Sequence, residues 1–152
     1  MISPEILRRF TLFAGLDAAE LKEIALVSEE INLKAGAWLF KEGDAADDFY
    51  LIVSGKINLM MNMDASGDHQ FDLDTLVRGD ALGLSALIEP HVYQMGALAG
   101  DDSRLVRIDA QTMTDLLAKY PQMGYRVMMA VARMAGERLN HLRVRFVSLV
   151  DV

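Results

Sequence analysis

Apolar residues change their spacing twice along the chain, and each change marks a change of element type. Up to Val27 the spacing is helical: Ile6, Leu7 and Phe10 follow Ser3-Pro4-Glu5, where serine suits an N-cap and proline the first helical position. Leu21, Ile24, Ala25 and Val27 follow Asp17-Ala18-Ala19-Glu20, a capping-box pattern. Two short helices are predicted. From Ile31 to Ile108 the apolar segments are short and punctuated by glycine at 36, 43, 55, 67 and 79. Ile31 to Leu33, Trp38 to Phe40, Phe49 to Val53, the alternating Ile57, Leu59, Met61 and Met63, then Phe71, Leu73, Leu76-Val77 and Leu105 to Ile108 read as strands, with Asp64 to Asp68 as a hairpin tip. Short strands joined by glycine turns predict a sandwich or barrel.

The third regime follows Asp109, which can cap a helix from Ala110 to Lys119, with Pro121 starting another. In that last helix Met128, Ala132, Ala135, Leu139, Leu142, Phe146 and Leu149 alternate at spacings of four and three, the seam of a coiled coil. At ~1.5 Å per residue the helix would run about 45 Å, longer than a small domain is wide. A homodimer contact through this seam is therefore predicted, with Val127, Val131 and Met134 able to pack the first turns onto the chain's own body.

One stretch fits none of these patterns. Gly79-Asp80-Ala81-Leu82-Gly83 sets two glycines four apart, the run Leu84 to Ile88 is long enough for one helical turn, and a strand is predicted from Gln94 to Ala99. A glycine that opens a helical turn leaves backbone N–H groups able to hold an anion or small ligand, a weak signal on its own.

Composition narrows the function classes. At 152 residues, 52% of them hydrophobic and 24% charged, the chain suits one globular domain, with no run of the length a membrane span needs. The N-terminus lacks a signal-peptide layout, so a cytoplasmic location is expected. Zero cysteines exclude disulfides, thiolate metal sites and cysteine nucleophiles. His69, His91 and His141 form no metal-ligand spacing, and neither a P-loop nor a nucleophile elbow is present, so no enzyme, catalytic residue or metal site is predicted. A net charge of −7 argues against nucleic-acid binding, which needs a basic surface. The charge is uneven: from Arg126 onward five arginines face two carboxylates, a net +3 that leaves −10 elsewhere. Such a basic helix either pairs its arginines with the acidic body or presents them to a partner protein in trans.

The run from Leu33 to Ile57 contains Gly36, an apolar pair, Glu42-Gly43-Asp44, then Phe49-Tyr50 with alternating aliphatics and Gly55; it continues through Gly79-Asp80 and Gly83 to the two C-terminal helices, and backward into Leu12-Phe13-Ala14-Gly15-Leu16. This order of residues resembles the cyclic nucleotide-binding domain family over nearly the whole chain. The resemblance implies an α+β, mainly β fold: an eight-stranded antiparallel β-roll (residues 31–108) between N-terminal helices (1–30) and C-terminal helices (109–152), all one domain. In bacterial regulators of this family, such as the catabolite activator protein, the long helix dimerises and a helix-turn-helix domain follows. The chain stops where that domain would begin, so the expectation is a sensor without a DNA-binding domain that signals in trans, the alternative being the sensor part of a transcription regulator.

In that family the Gly79 to Ala99 stretch would be the phosphate-binding cassette, with a glutamate after the glycine for the ribose and an arginine for the cyclic phosphate. Here those positions are Leu84 and Tyr93, and no arginine lies between Arg78 and Arg104. Losing two ionised partners weakens binding by about 3–6 kcal/mol, two to four decades. Two readings stay open. In one, Gly83, Leu84, Ser85, Ala86, Tyr93, Gln94 and Met95, with Arg138, Asn140 and His141 reaching in from the long helix, bind an altered or weak ligand, a cyclic nucleotide or another small anion. In the other, Leu84 and Tyr93 fill a dead pocket and the domain is a ligand-free interaction module. No other cofactor is expected.

Overall fold

The computed structural model describes residues 2–150; Met1, Asp151 and Val152, at the ends of the expected domain, lie outside the described residues. Helix α1 (Pro4–Arg8) starts on the Ser3 hydroxyl, which accepts from the Glu5 N–H, and α2 (Ala18–Leu26) starts on a complete capping box between Asp17 and Glu20. Eight strands follow: β1 (Ser28–Leu33), β2 (Trp38–Phe40), β3 (Asp48–Ser54), β4 (Lys56–Asn62), β5 (Gln70–Val77), β6 (Ala81–Leu82), β7 (Gly96–Ala99) and β8 (Ser103–Asp109). They form two four-stranded antiparallel sheets, ordered β1-β8-β3-β6 and β2-β7-β4-β5. This is the expected β-roll. Helices α3 (Ala110–Lys119), capped by Asp109, and α4 (Pro121–Val150) close the chain.

The core lies between the sheets and under the helices: Phe49, Leu51, Ile52, Ile57, Leu82, Leu105 and Ile108 are fully buried, as are Leu7, Phe13, Leu21 and Ile24. Continuing a period of two predicts Met61 and Met63 on the same face as Ile57 and Leu59. The extra residue of the bulge opposite Leu59 and Met60 is Leu73 on β5, so β4 keeps its alternation and one register with β7 as far as Met60, opposite Gly96; Met61 lies past that pairing and is exposed, and Met63 is exposed beyond the strand's end. The strand expected from Gln94 begins two residues later at Gly96, where ladder pairing to β4 starts. The backbone at Tyr93 is instead tied to the loop before β3, its N–H donating to Asp44 O and its carbonyl accepting from Gly43 N–H.

Helix α4 rests on the body along one stripe. Met123, Val127, Ala130 and Val131 are buried and Met134 is partly buried, as the packing alternative for its first turns requires. The predicted seam lies on another face: Met128, Ala132, Ala135, Leu139, Phe146 and Leu149 are exposed, and only Leu142 is half-buried. The arginines mostly find partners within the chain, Arg126 on Glu20 at 3.1 Å, Arg138 on the Ala81 carbonyl and Arg145 on the Leu73 carbonyl.

Candidate ligand-binding cleft

Gly83 takes φ 74° and hands the chain from β6 into a 3-10 turn, Leu84–Leu87. A β-carbon at Gly83 would sit 3.3 Å from the Asp48 carbonyl oxygen and 3.3 Å from the Tyr93 ring, so both its backbone angle and its surroundings call for glycine. The turn forms one wall of a cleft of about 320 Å³. Gly83, Leu84, Ser85 and Ile88 line that wall; Tyr93, Gln94 and Met95 line the approach to β7; Phe40 and Leu59 form the sheet side. Helix α4 closes it with Val131, Met134, Ala135, Arg138, Leu139 and Leu142.

Tyr93, at the position where the family resemblance implies an arginine, is committed elsewhere. Its ring stacks on Phe40 with centroids 3.7 Å apart and planes 7° from parallel, and its hydroxyl donates to the Asp48 carbonyl at 2.5 Å. It is 5% exposed. Burial pushes the phenol well above its ordinary pKa, so it stays neutral. Leu84 packs against the core.

The polar equipment is small. Arg138 is the one charged side chain on the cleft wall among the described residues. It is half-buried, and its guanidinium makes a single hydrogen bond, Nη2 to Ala81 O at 3.3 Å. Burial lowers its pKa, opposed by the carboxylates of Asp74 and Asp80, neither of which forms an ion pair with it. Among the described residues the Ser85 hydroxyl has no hydrogen-bond partner, and Gln94 is exposed at the rim with its amide 3.4 Å from the Val92 carbonyl.

Of the residues predicted for the site, the structure brings together Gly83, Leu84, Ser85, Tyr93, Gln94, Met95 and Arg138. Ala86 is buried beneath the turn. Asn140 is exposed and accepts from Arg143, and His141 Nε2 lies 3.4 Å from Asp74 Oδ1, so neither reaches the cleft. Phe40, Leu59, Ile88, Val131 and Met134 were not predicted as lining. Ala135, Leu139 and Leu142, predicted only as seam, line it as well. The signal for the helix residues was present: Val131, Met134, Arg138 and Leu142 are spaced three and four apart. Among the described residues no group of three or more His, Cys, Asp or Glu is placed to hold a metal, and no helix is long and apolar enough to cross a membrane.

Comparison with known proteins gives the arrangement its family context. Residues 30–120 match the family model described as "Cyclic nucleotide-binding domain". A solved structure from Geobacter metallireducens, assigned as a cyclic nucleotide-binding protein, is 33% identical with a TM-score of 0.80, covering 91% of this chain and 99% of that one. An uncharacterized NTE family protein of Mycobacterium tuberculosis is 30% identical over 84% of the chain, which spans 21% of that relative's length. A CRP-like cAMP-activated global transcriptional regulator of the same species is 23% identical over 91% of the chain, which spans 61% of it.

Proposed function

The chain belongs to the cyclic nucleotide-binding domain family, and on that premise we propose that it is a homodimeric sensor whose cleft binds a small anionic ligand and whose α4 helix carries the signal. Cyclic nucleotides are the first ligands to test, because the family model and the Geobacter neighbour both carry that description. The reading assigns no catalytic step. The observation that carries it is Arg138: a half-buried guanidinium with one hydrogen bond and, among the described residues, no ion pair, on the wall of a mostly apolar cleft. An arginine placed this way has donors to spare, and a phosphate or carboxylate is their natural acceptor. Because Arg138 rides on α4, a ligand held there pulls on the same helix that presents the exposed seam, which is how binding would be reported.

The test is calorimetric titration with cyclic AMP, cyclic GMP and cyclic dinucleotides, on the native chain and on Arg138→Leu. Saturable binding by one of them is expected. A charge-assisted contact contributes about 1.5–3 kcal/mol, so Arg138→Leu should weaken that binding by ~10- to 150-fold. No heat and no thermal stabilisation with any of these ligands would remove cyclic nucleotides. The second reading, a ligand-free interaction module, is favoured by one fact: the ring and hydroxyl of Tyr93 are already used inside the protein. It predicts silent titrations with a dimer that forms regardless.

A further inference from the structure

A second cavity, more than twice the volume of the cassette cleft, lies elsewhere among the described residues. A depression of about 760 Å³ lies between α1 and the end of β3, lined by Ile6, Arg9, Phe10, Ile52, Val53, Ser54, Arg78, Gly79 and Arg104, and it shares no residue with the first cleft. Outside α4 the chain has five arginines, and three of them line this one depression, with no carboxylate in its lining. In a protein of net charge −7 that is an unusual concentration of positive charge.

The pairing pattern points the same way. Arg8, Arg104, Arg107 and Arg126 each meet a glutamate, Arg138 and Arg145 meet backbone carbonyls, and Arg143 meets Asn140. Among the described residues, Arg9, Arg78 and Arg133 have no such partner, and two of those three are in the depression. Arg104 gives its Nε to Glu30 at 2.6 Å, which leaves its terminal nitrogens without an acceptor among the described residues. The backbone that carries Arg78 is fixed, with the Gly79 N–H donating to Ile52 O at 3.0 Å and the Val77 N–H to the Asp80 carboxylate at 2.9 Å. Like charges gathered on a braced frame repel one another unless an anion sits between them. The remaining lining, Ile6, Phe10, Ile52 and Val53, is apolar, and the volume falls in the range of small-molecule sites.

We propose that this depression is a second binding site, for a small polyanion that carries a phosphate or diphosphate group on an apolar or flat body. Arg9 and Arg78 hold the anion through their planar forks, Arg104 adds its terminal nitrogens, and the body rests on Phe10 and Ile6. The site is independent of the first cleft and of the reading given to it.

Inorganic pyrophosphate is the probe, followed by the guanidinium Nε–H resonances of the whole chain at low ionic strength. Saturable shifts of Arg9, Arg78 and Arg104 with one common affinity are expected, whatever Arg138 does in the other cleft. Each of Arg9→Gln and Arg78→Gln should weaken binding by about tenfold, the value of one exposed charge-assisted contact. Glu30→Gln, which releases Arg104 from its carboxylate, should tighten it, and Arg133→Gln and Arg138→Leu should leave it unchanged. That last variant separates this site from the first cleft. Arg9 and Arg78 are both exposed, and thermal unfolding of their two variants checks that the fold is intact; if Arg9→Gln unfolds the chain, Arg78→Gln and Glu30→Gln decide alone. Shifts that grow linearly at every arginine, or binding indifferent to Arg9 and Arg78, would overturn the proposal. So would saturation by a glutamate-rich peptide where pyrophosphate has no effect, because the ligand would then be a protein segment.

Discussion

Replacing Phe146 and Leu149 together by aspartate tests whether α4 is a dimer contact without touching the cleft. Both lie on the predicted seam beyond the last cleft residue, Leu142, and they are 65% and 62% exposed in the isolated chain. Full burial of a leucine or phenylalanine stabilises by about 1.5–3 kcal/mol, and roughly two thirds of that is still available here, ~1–2 kcal/mol per side chain. A twofold contact uses each residue twice, so the double variant forfeits about 4–8 kcal/mol before any repulsion among the four new carboxylates is counted. The dimer dissociation constant should rise by three decades or more, since ~1.4 kcal/mol is tenfold. Sedimentation velocity over a range of concentrations reads this directly, with Leu26→Asp as a control: Leu26 is 58% exposed, but on α2. The expected result is a native dimer, a dimeric control and a monomeric double variant that keeps its helix content and cooperative unfolding, at a lower midpoint because the dimer contact is gone. If the native chain sediments as a monomer throughout, or the double variant dimerises as tightly as the native chain, the seam is an ordinary exposed helix face and the reasoning from its spacing is wrong.

Tyr93→Phe keeps the ring on Phe40 and removes only the hydroxyl that bonds the Asp48 carbonyl; a loss of about 1–2 kcal/mol in urea unfolding is expected, with ligand binding unaltered because that hydroxyl faces the protein. Gly55→Ala should cost ~2–4 kcal/mol by the same assay, since its β-carbon would lie 2.6 Å from Ser103 Cα at φ 102°. Asp109 accepts from both the N–H and the hydroxyl of Thr112, which holds its carboxyl below the ordinary value. A carboxyl with a depressed folded pKa contributes stability that is complete above its unfolded value near pH 4 and is lost as pH falls through the folded value. The stability gap between native and Asp109→Ala, about 1 kcal/mol at pH 7, should therefore close in acid.

The fold was legible because its signals are local. Ser3-Pro4, the Asp17/Glu20 box, Asp109 and Pro121 mark helix starts through contacts within one turn, and each stands where expected. Strand detail was less so. Met61 has no partner on β7, which begins opposite Met60, so alternation along β4 alone could not show that its side would be left uncovered. Likewise, the shortening of β7 reflects the bonds that tie Tyr93 to Gly43 and Asp44, made across the roll.

The candidate site was legible in position: counting along the cassette finds Leu84 and Tyr93 where charges are implied, and Arg138, Asn140 and His141 are named as reaching in from the long helix, without a way to tell which of the three faces the cleft. What counting cannot see is that α4 carries two stripes a residue or so apart. One, with Val127, Val131, Met134, Arg138 and Leu142, faces the body; the other, with Met128, Ala132, Ala135 and Leu139, faces solvent. Both satisfy the same spacing of threes and fours, because 3.6 residues per turn places neighbouring positions on adjoining faces. Which stripe turns inward is decided by packing against the roll, and that decision brings Arg138, rather than Asn140 or His141, to the cleft. It also puts Ala135, Leu139 and Leu142 on the boundary between the two stripes, where one helix rotation would alter the cleft wall and the seam together. Under the proposed function, residues shared in this way would couple occupancy to assembly, with the positive charge carried by the helix instead of by the cassette.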